Sequence, residues 1–235
     1  MLQAAAVDGD RLERMLARRV VGEPLEQVLG WAEFCGLRIA VAPGVFVPRR
    51  RTEFLVERAV QLLGDRTRPV VVDLCCGTGA IGAAIAQHLD VELHAADVDP
   101  DAVACARQNV TMGEVHEGDL YDALPEDLRG RVDLLAVNAP YVPTDEIRLM
   151  PPEARLHEHH VALDGGADGL DLHRRVASDA LEWLRPGGTL LIETSQAQAE
   201  TTVAACAGAG LGPRTLSRDE STLVEAVAPR TSARA

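Results

Sequence analysis

The chain has 235 residues, 47% apolar and 25% charged, enough to bury the core of one large α/β domain, or of one domain with a small appendage. No run of about 18 apolar residues occurs, which excludes a membrane-spanning helix. The formal net charge of −13 disfavours duplex nucleic acid as a partner, because an acidic surface repels phosphate.

Met1 to Asp10 has no basic stretch followed by an apolar core, so no secretory signal is read there and the cytoplasm is the expected location. The five cysteines, Cys35, Cys75, Cys76, Cys105 and Cys206, form an odd set without a secreted context, and no disulfide framework is expected. Cys75 and Cys76 are adjacent but lack a second pair at structural-zinc spacing, and they read as small packing residues. His157-Glu158-His159-His160 reads as a solvated loop, and no metal is expected.

In chain order, Arg11 to Val21 suits a short helix, ended by Gly22-Glu23-Pro24. Phe34 to Val47 reads as two short strands around a turn, with Pro43-Gly44 as punctuation. Thr52 to Leu63 has helical apolar spacing, and Gly64 stops it. Val70 to Leu74 is a β-branched run of the kind buried on both faces of a parallel sheet. An Ala-rich helix is expected from Ala80 to about Leu89, a strand over Glu92 to Asp97, and a helix over Pro100 to Val110 with Pro100 at its start. Val115 to Glu117 and Val132 to Val137 are the next strands. Leu170 to Leu184 is a long helix closed by Pro186-Gly187-Gly188. Thr189 to Glu193 is a strand, Ala197 to Ala207 a helix, and Arg214 to Leu216 and Leu223 to Val227 the last strands. Alternation of this kind implies an α/β fold with a mostly parallel, doubly wound sheet, and ligands of such sheets bind beyond the strands' C-terminal ends.

The residues just after the early strands therefore hold the candidate site. Gly77 and Gly79 permit a tight turn and a close approach to a ligand at the start of the next helix. G-x-G-x-x-G is incomplete there, and an ordinary βα turn reads equally well. Asp97, about 20 residues on, suits ribose hydroxyls, although Asp99 caps the next helix as well. Asp119 follows the third strand. Together these make a nucleoside site. The fourth strand ends in Asn138-Ala139-Pro140-Tyr141. An amide nitrogen is a poor nucleophile, and its N–H groups need acceptors to position it. The Asn138 side-chain oxygen and the Ala139 carbonyl are two such acceptors, Pro140 fixes the backbone, and Tyr141 can lie on the flat face of the acceptor group.

At this point the sequence resembles the HemK/PrmC family of protein-(glutamine-N5) methyltransferases, from about Arg18 onward. The likeness rests on Gly22-Glu23-Pro24-Leu25 with Leu29-Gly30, Phe34-Cys35-Gly36-Leu37, Val47-Pro48-Arg49 with Thr52-Glu53, Asp73 to Ile81, Asp97 to Asn109, Asn138 to Tyr141, and Ala162 to Gly166 with Asp168-Gly169-Leu170. It implies a Rossmann-like class I fold with a seven-stranded sheet, preceded by a short helix and a β-hairpin. The implied division is 1–48 for a shortened N-terminal part, 49–230 for the methyltransferase domain and 231–235 for a tail. The implied cofactor is S-adenosylmethionine, held by Asp73, Cys75, Cys76, Gly77, Thr78, Gly79, Asp97, Val98, Asp119, Leu120 and Asn138. Asn138, Ala139, Pro140 and Tyr141 would be catalytic, and Arg49, Thr52 and Glu53 would join Asn138 and Tyr141 on the substrate side.

The resemblance implies methylation of a glutamine side-chain nitrogen in a protein, family-typically the Gly-Gly-Gln glutamine of peptide chain release factors. Another protein, a peptide or a small amide is the nearest alternative. Nucleic-acid adenine, whose methyltransferases share Asn-Pro-Pro-Tyr, comes behind it, and a non-enzymatic binding role comes last. The chain departs from the family pattern at Cys75 and Ala139, which replace a glycine and a proline, and at Arg50 and Arg51, which replace a proline and an acid at the substrate mouth.

Overall fold

The computed structural model describes residues 9–230. The proposed tail at 231–235, and most of the Met1 to Asp10 segment, lie outside the described residues.

Helix α1 (Gly9–Val20) buries Met15 and stops at Gly22, whose φ of +90° breaks the helix. A short α2 (Leu25–Leu29) follows and ends on Gly30 in the left-handed conformation. Strands β1 (Trp31–Phe34) and β2 (Leu37–Ala40) then pair antiparallel, Phe34 opposite Leu37. This corrects the expected hairpin over Phe34 to Val47. The turn is Cys35-Gly36, both at positive φ, which suits the twist of a two-residue hairpin. Pro43-Gly44 lies beyond the hairpin, where Gly44 bridges to Glu158.

Helix α3 (Glu53–Leu63) buries Leu55, Val56, Ala59 and Leu63, the stripe its spacing predicts. The main sheet has seven strands in the order β5-β4-β3-β6-β7-β9-β8. Strands β3 (Val70–Leu74), β4 (Glu92–Asp97), β5 (Gly113–Glu117), β6 (Val132–Val137) and β7 (Leu184–Thr194) are parallel. Strand β9 (Ser221–Val227) pairs antiparallel with β7 and with β8 (Gly212–Arg218). Pro186-Gly187-Gly188 does not lie outside the strand as expected. It is absorbed into the start of β7, where the register against β6 shifts.

Helices α4 (Ala80–His88), α5 (Pro100–Asn109), α6 (Pro152–His157), α7 (Asp171–Trp183) and α8 (Ala199–Gly208) complete the order. Along β3, Val70, Val72 and Leu74 enter one core cluster with residues of α7 and α8, while Val71 enters another with residues of α3, α4 and α5. Both sheet faces are therefore covered, which is why β3 reads as a continuous apolar run. Phe34 and Ile39 of the hairpin join the second cluster and are almost fully buried. Chain order reverses between β3 and β6, so the crevice beyond their C-terminal ends is where a ligand is expected.

Candidate active site

A cavity of about 920 Å³ opens at that reversal. One wall is the turn from β3 into α4. Cys75 (φ +59°), Gly77 (φ +54°) and Gly79 (φ +73°) all adopt left-handed backbone there. Cys75 holds that conformation with a side chain present, at a cost of about 1 kcal/mol. A Cβ on Gly77 would meet no protein atom within 4 Å, so this stretch of backbone is bare toward the cavity. Asp97, at the end of β4, accepts hydrogen bonds from the Gly77 N–H at 2.8 Å and the Asp99 N–H at 3.0 Å. Burial raises its carboxyl above the usual range, and the N–H donors work against that. Asp99 caps α5, accepting from the Asp101 N–H at 2.9 Å. Val98, Asp119 and Leu120 continue the wall, with Asp119 paired to Arg175 at 2.8 Å.

Two expected cofactor residues stand behind this wall. Asp73 is fully buried, and one of its oxygens accepts from the Gly82 N–H at 2.8 Å. Burial pushes its carboxyl up to about 8, with the Gly82 N–H opposing and Asp97 adding to the rise. Gly79 turns the chain against α5, where a Cβ would come within 2.7 Å of Val110. Cys75 and Cys76 line the cavity, but burial holds both thiols well above their ordinary range, so they stay protonated and poorly nucleophilic.

Strand β6 pairs beside β3 and brings Asn138-Ala139-Pro140-Tyr141, just after its end, into the same cavity. Tyr141 is fixed from several sides. Its hydroxyl accepts from Arg51 at 2.7 Å, its carbonyl accepts from the Gln198 side chain at 2.8 Å, and its ring meets His173 edge-on at 6.4 Å between centroids. The loop after it is clamped by Leu163 to Gly166: the Val142 N–H donates to the Leu163 carbonyl, and the Gly165 N–H donates to the Val142 carbonyl. Gly169 packs so closely on Tyr141 that a Cβ would lie 2.3 Å from its carbonyl oxygen.

Arg49 and Thr52 line the cavity. Glu53 does not. It opens α3 and accepts from the Cys35 N–H at 3.1 Å, tying the hairpin turn to that helix. Arg51, singled out in the sequence only as a change of charge at the mouth, has a structural role there. It bridges Tyr141 and the buried Glu193 of β7, 3.2 Å away. Burial pulls the Arg51 guanidinium down, but Tyr141 and Glu193 raise it on balance. Burial raises Glu193.

Nor is His157 to His160 a solvated loop. Glu158 is buried, and it accepts from Arg49 at 2.6 and 2.8 Å and from the Val47 N–H at 3.2 Å. Burial raises its carboxyl, against the pull of Arg49. His159 donates its N–H to the Gly44 carbonyl and sets its ring 2.6 Å from Asp99. This segment therefore straps the substrate mouth to the cofactor wall.

The chain matches the Methyltransferase small domain family over residues 36–154. It is 42% identical to a release factor glutamine methyltransferase of Streptomyces coelicolor, over 80% of this chain and 68% of that protein. It is 37% identical to a 4-amino-L-phenylalanine/4-methylamino-L-phenylalanine methyltransferase of Streptomyces pristinaespiralis, over 78% of this chain and 65% of that protein. Among solved structures, a methyltransferase from Pyrococcus furiosus shares the fold with a TM-score of 0.60 at 16% identity, covering 94% of this chain and all of the other.

Proposed function

This chain belongs to the release factor glutamine methyltransferase family, and from that premise we propose that it methylates the side-chain amide nitrogen of a glutamine in a protein substrate, a peptide chain release factor. The observation that carries the reading is one cavity lined by the bare turn backbone and Asp97 together with Asn138 to Tyr141.

The cofactor end fits S-adenosylmethionine. The bare backbone at Gly77 admits the amino-acid portion, Asp97 offers carboxylate lone pairs to the ribose hydroxyls, and Val98, Asp119 and Leu120 flank a base. When bound, this group supplies a methyl already activated by its cationic sulfonium, so no strong general base is required of the protein. The chain's own task is to hold the acceptor. The Asn138 side-chain oxygen and the Ala139 carbonyl accept the two amide N–H bonds and orient the nitrogen lone pair toward the methyl. Tyr141, held by Arg51, Gln198 and His173, covers the flat face of the amide and keeps water out.

No helix among the described residues is long and apolar enough to cross a membrane, which suits an enzyme meeting its substrate in the cytoplasm. Nucleic acid is a poor acceptor for a chain of charge −13. A second reading, methylation of a free amino acid, is favoured by the S. pristinaespiralis relative. Competition between a release factor and free amino acids bearing amide or aryl-amine groups, followed with labelled S-adenosylmethionine, separates the two. Label on the protein alone supports the first reading, and label on the amino acid alone replaces it with the second.

A further inference from the structure

On the edge of the sheet, outside the cavity lining, β4 and the edge strand β5 bring two imidazoles and two carboxylates together. His94 Nδ1 and His116 Nε2 lie 3.1 Å apart, with the rings stacked at 5.3 Å between centroids. Glu114 Oε2 lies 3.9 Å from His116 Nε2. One donor atom each from His94, Glu114 and His116 falls within 4.8 Å of the others. The parallel register explains the gathering: His94 stands opposite Glu114 and Ala96 opposite His116, so all three side chains share one face of the sheet.

We propose that His94, His116 and Glu114 bind a divalent transition metal, with Zn²⁺ the best match, and that the ion staples the edge strand to the sheet. Zn–N bonds of about 2.0–2.1 Å in tetrahedral geometry place two ligand nitrogens about 3.3 Å apart, close to the observed separation. Two imidazoles and a carboxylate form a donor set suited to Zn²⁺, leaving a fourth position open. Such binding requires neutral imidazoles. Burial, and then the neighbouring His94, lower the affinity of His116 for a proton. With His94 bound through Nδ1, its proton sits on Nε2, 3.7 Å from Glu92 Oε1, and Glu92 is itself held by Arg131 at 3.0 Å. A carboxylate facing the outer N–H of a ligating histidine is the usual support of such a site. The staple also has work to do, because β5 is the least buried of the parallel strands and only Val115 and His116 on it are partly covered.

The test uses the full chain, stripped with chelator and then titrated with Zn²⁺ by calorimetry and with Co²⁺ by visible absorption. The expected result is one equivalent bound, tetrahedral Co²⁺ bands, and a higher melting temperature with Zn²⁺, because the ion binds the folded state. His116→Gln and Glu114→Gln, both at partly or well exposed positions, should weaken uptake by more than about tenfold and leave S-adenosylhomocysteine binding intact. Asp101→Asn probes the other histidine–aspartate cluster, near His159, and should not change uptake. The proposal is overturned by absence of Zn²⁺ uptake, which would leave the two histidines as a plain N–H···N pair. It is equally overturned by uptake that survives His116→Gln or is lost with Asp101→Asn.

Discussion

The Tyr141 hydroxyl accepts a hydrogen bond from Arg51 at 2.7 Å, across 90 positions of sequence. The same guanidinium faces the buried carboxylate of Glu193. One arginine therefore fixes the acceptor-side aromatic and compensates a buried charge. In Arg51→Gln both partners lose it. Stability should drop by about 1–2 kcal/mol, less than for a fully buried pair because Arg51 is 42% exposed. Denaturant melts measure that drop, and the Michaelis constant for the acceptor should rise while S-adenosylhomocysteine affinity holds. An unchanged melt and unchanged acceptor kinetics would show that Arg51 is a bystander.

Asn138→Ala should reduce turnover by about a hundredfold, because the amide loses one of its two positioning acceptors. Cofactor affinity should change far less, since the turn around Gly77 and Asp97 is untouched. Equal losses in both measurements would place Asn138 mainly on the cofactor.

Asp97→Ala removes the acceptor of the Gly77 N–H along with the partner proposed for the ribose. Calorimetry should show S-adenosylhomocysteine binding weakened at least tenfold, in line with about 1.5–3 kcal/mol for hydrogen bonds to a charged group. Affinity equal to that of the unsubstituted chain would remove Asp97 from the site.

His173 is fully buried beside Tyr141, with Nδ1 3.0 Å from the Thr202 hydroxyl. Burial lowers it to about 4, against an ordinary value near 6.5. A depressed folded value means that its share of stability is complete above about pH 6.5 and is lost as pH falls toward 4, because the unfolded chain takes up the proton first. The loss should approach about 3 kcal/mol. Urea melts between pH 7 and 4.5 should show a shallower decline for His173→Gln. Parallel pH profiles would assign the acid sensitivity to other groups.

Much of this was readable in the sequence where one-dimensional pattern and three-dimensional role coincide. Strands β3, β4 and β6 pair in parallel, so the Cys75 turn after β3, the acid that ends β4 and the asparagine after β6 come out side by side. Cys75, which the resemblance sets against a glycine, has a φ of +59°, the backbone demand that a glycine would meet. The hairpin was misplaced because Pro43-Gly44 looks like stronger punctuation than Cys35-Gly36, whereas register and the burial of Phe34 and Ile39 decide the turn. The role of Glu158 and the partners of Arg51 were not readable, because the partners lie 109 and 90 positions away. A histidine-flanked glutamate reads as a polar loop until Arg49 and Val47 are seen to close on it.

The most direct test of the central claim is mass-resolved methylation of a recombinant release factor from the same source, with labelled S-adenosylmethionine and with duplex DNA run in parallel. The account predicts one methyl on the glutamine of the Gly-Gly-Gln loop, none on DNA, and loss of the product with Asn138→Ala. A release factor left unmodified by a chain that still binds S-adenosylhomocysteine, or label appearing on DNA, would contradict it.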